Sequence, residues 1–156
     1  MSAKARFLQK LQDAQPSANN YATTGLADMA EFRQRLDKLR DNIETWLAGT
    51  GIHIADVQCT LTEILISNTA FPISCFALHY ENRVVKFTPV FLYGQGVTGC
   101  VEVTLVVGGQ SSALCRLFMR SAERSDWTYA FINKSAGQRS AFGEDAFFTV
   151  IDDLLP

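Results

Sequence analysis

The clearest periodic pattern in the chain is helical and lies near its N-terminus. From Leu26 to Ala48 the apolar residues recur at spacings of three and four, the period of one face of an α-helix. This stripe consists of Met29, Phe32, Leu36, Leu39, Ile43 and Trp46. Thr24 or Asp28 is expected to cap the start of the helix, and two nearby glycines follow its end. A shorter amphipathic helix is predicted over residues 2–14, with a polar joint, Gln15–Asn20, between the two.

The same three–four spacing also fits the heptad seam of a coiled coil. Placing Met29 at position a puts Arg33 and Arg40 at e and Arg35 at g, so arginines of two parallel copies would face one another. This repulsion favours packing of the long helix on a sheet of its own chain.

After Gly51 the pattern changes to the two-residue period of strands. Val57, Cys59 and Leu61 alternate with polar residues in a first strand. The later strand-like runs are Ile73–Tyr80, Val84–Tyr93, Cys100–Val107, a run ending near Arg120, and Trp127–Ile132. Short turns join the three central runs, which predicts an antiparallel meander of five or six strands.

Two hairpins allow the register of the meander to be predicted. The expected pairs are Phe91–Val101, Phe87–Leu105 and Val85–Val107 around Gly96, and Val107–Ala113, Leu105–Cys115, Val103–Leu117 and Val101–Met119 around Gln110. One face of the sheet then collects Val85, Phe87, Phe91, Val101, Val103, Leu105, Cys115, Leu117 and Met119. Pro89 lacks a donor and indicates an edge position or a bulge. The Ile73–Tyr80 strand fits two registers, because both its faces are apolar.

A last amphipathic helix is predicted from about Gly143 to Leu155, with an apolar side formed by Phe147, Phe148, Ile151, Leu154 and Leu155. The expected fold class is therefore α+β, with the helices on one face of the sheet. A chain of 156 residues suits a single domain, 1–156, with a helical part over 1–49, a sheet over 52–133 and a C-terminal helix over 143–155.

The second face of the predicted sheet mixes polar and apolar residues. It is expected to bind a ligand or partner through Lys86, Val90, Glu102, Val106, Arg116 and Phe118. Between residues 51 and 115 only six residues are charged, too few for a face that is fully wet. Because a two-fold interface uses one patch twice, a homo-oligomer, joined through this face or an edge strand, is the simplest way to cover it.

Composition and charge exclude several classes of protein. A net charge of −2 without a basic patch argues against nucleic-acid binding. Since no apolar run approaches the length of a membrane span and the N-terminal residues lack a secretory pattern, we expect a cytoplasmic protein that does not enter a membrane. The four cysteines, Cys59, Cys75, Cys100 and Cys115, are widely spaced. They are interpreted as buried thiols, and neither a metal site nor a cofactor is expected.

Two local patterns resemble functional motifs. Residues 94–99 match G-x-G-x-x-G, yet a strand follows where a dinucleotide site needs a helix, so a hairpin loop is predicted. Cys75 and His79 share a strand face but lie about 13 Å apart, too far for a nucleophile pair. A partner on another strand remains possible, and His53 and His79 are the two histidines that could supply it.

These patterns favour a non-enzymatic, oligomeric binding module that engages a protein partner, as an adaptor, small chaperone or toxin-neutralising protein does. The alternative is a small-molecule-binding protein with an aromatic pocket between sheet and helix, near Phe87, Phe91, Tyr93, Trp127 and Tyr129. The third hypothesis is a small enzyme that uses a carboxylate, Glu102 foremost, or His79.

Overall fold

The structure is a computed structural model that describes residues 2–14, 18–63, 69–94, 96–121, 126–131 and 140–155, with side chains described outside 9–24, 69 and 153. The helices are α1 (Ala3–Ala14), α2 (Ala18–Trp46) and α3 (Glu144–Ile151), the last followed by a 3-10 turn, Asp152–Leu154. The strands are β1 (His53–Glu63), β2 (Thr69–Tyr80), β3 (Arg83–Gly94), β4 (Val97–Val107), β5 (Gln110–Ser121), β6 (Thr128–Phe131) and β7 (Ser140–Ala141).

The strands form one antiparallel sheet in chain order, from β1 at one edge to β7 at the other. Both α2 and α3 pack on the same face of this sheet, where their buried side chains join those of β3, β4 and β5 in one core. The α+β class is therefore confirmed, whereas α1, predicted on the same face, leaves Phe7 and Leu8 exposed. The described sheet has seven strands instead of five or six, because Ser140 pairs with Tyr129 at the end of a segment predicted to be a polar loop.

The long helix is longer than its apolar stripe. It begins at Ala18, eight residues before the predicted start at Leu26, so neither Thr24 nor Asp28 is its cap. The apolar stripe itself is confirmed: Met29, Phe32, Leu36, Leu39 and Ile43 are buried against the sheet, and Trp46 is half-buried beside Phe147. The long helix packs on the sheet of its own chain, as predicted from the positions of Arg33, Arg35 and Arg40.

The β3–β4 register differs from the predicted one by two residues. Phe87 pairs with Val103 and not with Leu105, and the ladder shifts again between Pro89 and Phe91. This bulge confirms the prediction made from Pro89. It also moves the side chains that follow it to the opposite faces of the sheet. Leu92 is consequently fully buried in the main core, whereas Phe91, expected there, lies on the other face.

The β4–β5 hairpin is tighter than predicted. Its turn is Gly108–Gly109, both with positive φ (58° and 82°), a geometry that suits a two-residue hairpin. A second bulge between Val103 and Thr104 leaves Ala113 exposed, although the predicted register placed it in the core. The inward face of Cys115, Leu117 and Met119 is nevertheless confirmed.

The glycine-rich segment between β3 and β4 is a hairpin, as predicted. Gly99 has φ of 73°, and a Cβ atom added to it would lie 2.8 Å from the Met119 Cβ and 3.0 Å from the Phe32 ring. Glycine is required here because α2 approaches the sheet closely.

The register of β2 is now defined, with Phe76 opposite Phe87 and Leu78 opposite Val85. Only Phe76–Tyr80 pair with β3, and the preceding half of β2 pairs with β1 alone. The far half of the β1–β2 hairpin is thus a two-stranded ribbon, and it packs into the main core through Leu61, Phe71 and Ile73.

This ribbon contains a disulfide bond, which corrects the interpretation of all four cysteines as thiols. Cys59 and Cys75 are diagonal neighbours across β1 and β2, with Cα atoms 6.3 Å apart. Cys100 and Cys115 are free and buried, and burial raises the pKa of each thiol to about 12. The sequence could not pair them, because pairing depended on the register of the β1–β2 ribbon.

We predict that the unreduced, denatured protein exposes two reactive thiols and that the reduced protein exposes four, as counted by thiol titration. Replacing Cys59 and Cys75 together by alanine is expected to lower the free energy of unfolding by about 3 kcal/mol, because a loop of this length is then open in the unfolded chain. Four thiols in unreduced protein purified under oxidising conditions would contradict the bond.

Candidate functional site

The six residues predicted to bind a partner lie on the sheet face opposite α2 and α3, which we call the outer face. Lys86, Val90 and Arg116 are exposed, and Glu102 and Val106 are half-buried. Lys86 pairs with Thr104, and Thr88 pairs with Glu102. The exposed part of the outer face therefore carries small and β-branched side chains between its few long ones.

Glu102 and Arg116 are directly opposite each other on β4 and β5. Arg116 donates a hydrogen bond to Glu102 across 3.2 Å. The Arg116 side chain is 45% exposed, so the pair contributes at most a few tenths of a kcal/mol to stability. Glu102 is therefore a half-buried residue paired with Arg116.

Phe118 differs from the other five, since it is buried. It lies opposite Cys100 and belongs to a second apolar cluster with Val97, Phe91 and Ala130. Much of the apolar surface expected on the outer face is thus covered within the chain. The bulge at Val90 brings Phe91 into this cluster.

β1 is the long edge strand of the sheet, and no described strand pairs with its outer side. In the described part of the chain β1 pairs only with β2, over 11 residues and without a bulge. Its sequence contains no lysine, arginine or proline, and Val57 is 47% exposed. Natural edge strands are usually protected by shortness, by charges, by proline or by bulges. The opposite edge, β7, is protected by its length of two residues, whereas β1 has one central charge, Asp56, which is bound by Arg40 of α2.

A polar network that the sequence did not predict joins α2 to the sheet. Asp28 accepts hydrogen bonds from the Tyr93 hydroxyl (2.5 Å) and from Arg120 (2.7 Å), and Glu31 lies 3.2 Å from the same Arg120 nitrogen. The backbone N–H of Tyr93 donates to the buried carboxylate of Glu63. Sequence separations of 65 and 92 residues left no local signal for these pairs. Because the acidic and basic groups bind each other, the network stabilises the fold and offers no free acid–base pair.

The five aromatic residues of the predicted pocket lie in different places. Phe87 is fully buried, Phe91 is in the second cluster, and the Tyr93 hydroxyl is bound to Asp28. Tyr129 packs edge-on against Phe131 and Phe142. Trp127 lines a cleft of about 390 Å³, beside Arg35, Lys38, Asn42 and Phe142. The Arg35 guanidinium lies 5.8 Å from the centre of the Trp127 ring.

The residues of the enzyme hypothesis are also separated. His79 pairs with His53 on one side and with Val84 on the other, and both histidines are exposed. Val84 pairs in turn with Val106, four residues along β4 from Glu102. His79 and Glu102, the two alternatives of that hypothesis, are therefore about 13 Å apart along the strand direction.

Fold and site together define an α+β protein with an open-edged antiparallel meander. Among the described residues none of the helices combines the length and the hydropathy needed to cross a membrane. Comparisons of the chain with protein-family models, curated proteins and solved structures find no match.

We predict that Tyr93→Phe lowers the free energy of unfolding by about 1–2 kcal/mol at neutral pH, because Asp28 loses a buried donor. Burial, and then the hydrogen bond to Asp28, hold the pKa of Tyr93 well above its usual value near 10. Above pH 10 the unfolded chain loses this proton while the folded protein retains it, so wild-type stability falls as the pH rises. Urea unfolding between pH 7 and 11 should show a flatter alkaline decline for the variant. Parallel curves would contradict the assignment.

Proposed function

We propose that the protein is a non-enzymatic, homodimeric binding module whose two copies join edge to edge through β1. The observation that carries this proposal is the unprotected 11-residue edge of β1. An exposed strand edge offers a row of backbone donors and acceptors, which another strand satisfies by extending the sheet. A second copy supplies such a strand in the required antiparallel direction.

The sequence of β1 is compatible with pairing to itself. In an antiparallel two-fold register centred on Val57, the exposed Val57 side chains of both copies meet. Asp56 then faces Gln58 of the second copy, and no like charges are opposed between His53 and Leu61. Self-pairing thus buries the large apolar side chain that β1 exposes.

Edge-to-edge pairing also places the two outer faces side by side. The combined surface carries Lys86, Val90 and Arg116 of each copy in exposed positions. We propose that this widened outer face, with Glu102, Val106 and the rim of Phe118, engages a protein partner. Adaptors, small chaperones and toxin-neutralising proteins are the kinds of module that act in this way.

The disulfide is informative about the cellular compartment in which the protein acts. Cys59–Cys75 lies in the same ribbon as the proposed interface. Disulfides persist in oxidising compartments and are rare in the cytosol. We therefore propose an oxidising compartment in place of the cytoplasmic location expected from the sequence.

We predict that light scattering of the wild-type protein at tens of micromolar gives twice the chain mass of 17.3 kDa. Val57→Lys should give a monomer, because two lysines would oppose each other at the centre of the interface. Val90→Lys is the matched control, since it adds the same charge to the outer face away from β1 and should leave the dimer intact.

Three results of the light-scattering experiment would each contradict the proposed dimer. They are a monomeric wild-type protein, a Val57→Lys variant that remains a dimer, and a dimer that is lost in Val90→Lys alone. The last result would assign self-association to the outer face. Because Val57 and Val90 are both exposed, circular dichroism is expected to show that both variants fold.

The cleft at Trp127 favours a second candidate function, the binding of a small carboxylate. Arg35 and Lys38 provide two positive charges against one from Asp126, and Leu39 and Phe142 form apolar walls. Such a site suits a molecule with one carboxylate and an apolar body.

For this second candidate we predict that benzoate quenches Trp127 fluorescence in a Trp46→Phe background, and that neutral benzyl alcohol does not. Lys38→Gln should weaken benzoate binding about ten-fold through loss of a charge-assisted hydrogen bond. Lys86→Gln, which removes an equal charge from the outer face, should have no effect. Equal quenching by both probes would refute a carboxylate site.

A further inference from the structure

The chain contains two histidines, and the fold places them directly opposite each other. His53 begins β1 and His79 lies near the end of β2, 26 positions later, yet the antiparallel register makes them a cross-strand pair. Both side chains are exposed. Directly opposite residues point to the same face with Cβ atoms about 4.5–5.5 Å apart, close enough for both imidazoles to reach one ion.

The surroundings leave room for such an ion. The next pair on the same face is Ala55–Ala77, whose methyl groups do not crowd the imidazoles. On the β3 side His79 faces Val84, which is aliphatic and half-buried. Within the described residues no group of three or more histidine, cysteine, aspartate or glutamate side chains could hold a metal ion. The pair therefore offers two nitrogen ligands and leaves the remaining coordination positions to water or another molecule.

We propose that His53 and His79 form a two-histidine site for a divalent first-row transition metal ion. Imidazole suits copper, nickel and zinc, and the general order of stabilities places Cu²⁺ first. The thiols do not compete for the ion, because Cys59 and Cys75 are joined and Cys100 and Cys115 are buried. This proposal goes beyond the proposed dimer, since the pair lies within one chain and does not require Val57.

The test is calorimetric titration with Cu²⁺ in the presence of a fixed amount of glycine as a weak competitor. Wild-type protein should bind one ion per chain. His53→Gln and His79→Gln should each weaken binding about 100-fold, because the second imidazole acts at high effective concentration once the first is bound.

Two double variants distinguish chelation from the mere presence of imidazoles. His53→Gln with Val84→His places a new histidine directly opposite His79 and should restore tight binding. His53→Gln with Ser111→His keeps two histidines on the outer face but separates them by three strand spacings, about 14 Å, and should stay weak.

Wild-type affinity no greater than that of the single variants would overturn the proposal, and so would tight binding by the Ser111 variant. Loss of the dimer in Val57→Lys with unchanged Cu²⁺ affinity would support independent sites. A Val57→Lys protein that binds no Cu²⁺, while His53 and His79 are intact and the protein is folded, would overturn the site within one chain.

Discussion

The close packing of α2 across the sheet is the contact on which the rest of the structure depends. Phe32 is fully buried at its centre, where Gly99 lets the helix approach and Trp127 lies 6.4 Å away between ring centres. Burial of each large side chain of the α2 stripe contributes about 1.5–3 kcal/mol, far more than an exposed ion pair on the same helix. The core therefore decides which face of the sheet is covered by the helices and which face stays open.

The fold class and the inward-facing residues could be predicted because they depend only on the period at which apolar residues recur along the chain. Val85, Phe87 and Leu117 keep their faces when the register slips by two residues, since a slip of two preserves the alternation of a strand. For the same reason the pattern could not distinguish the observed register from the predicted one. The bulges at Val90 and Leu114 move the side chains of later residues to the opposite faces of the sheet. The sequence carried a local signal, Pro89, for the bulge at Val90 and none for the bulge at Leu114.

The candidate sites depend on residues that are distant in sequence, so the sequence predicted them less completely. His53 and His79 were both noticed, but their pairing follows only from the β1–β2 register. The Cys59–Cys75 bond has the same origin. The residues of the predicted outer face do share one face of the sheet, but Phe118 is buried there in the second apolar cluster. That cluster includes Phe91 because the bulge at Val90 turns Phe91 to the outer face.

The open edge of β1, the Cys59–Cys75 disulfide and the His53–His79 pair all lie in the β1–β2 hairpin. The disulfide is therefore close enough to influence the rigidity of the edge. Although β2 pairs with β3 only from Phe76 onward, the far half of the hairpin packs into the main core through Leu61, Phe71 and Ile73, and Glu63 accepts a hydrogen bond from Tyr93. An edge strand that is already ordered loses less conformational entropy when it accepts another strand. The Cys59–Cys75 bond ties the ribbon together next to Val57 and reduces that entropy, so an oxidised protein should present a more rigid edge than a reduced one. We therefore propose that the disulfide preorganises the proposed interface in addition to stabilising the fold.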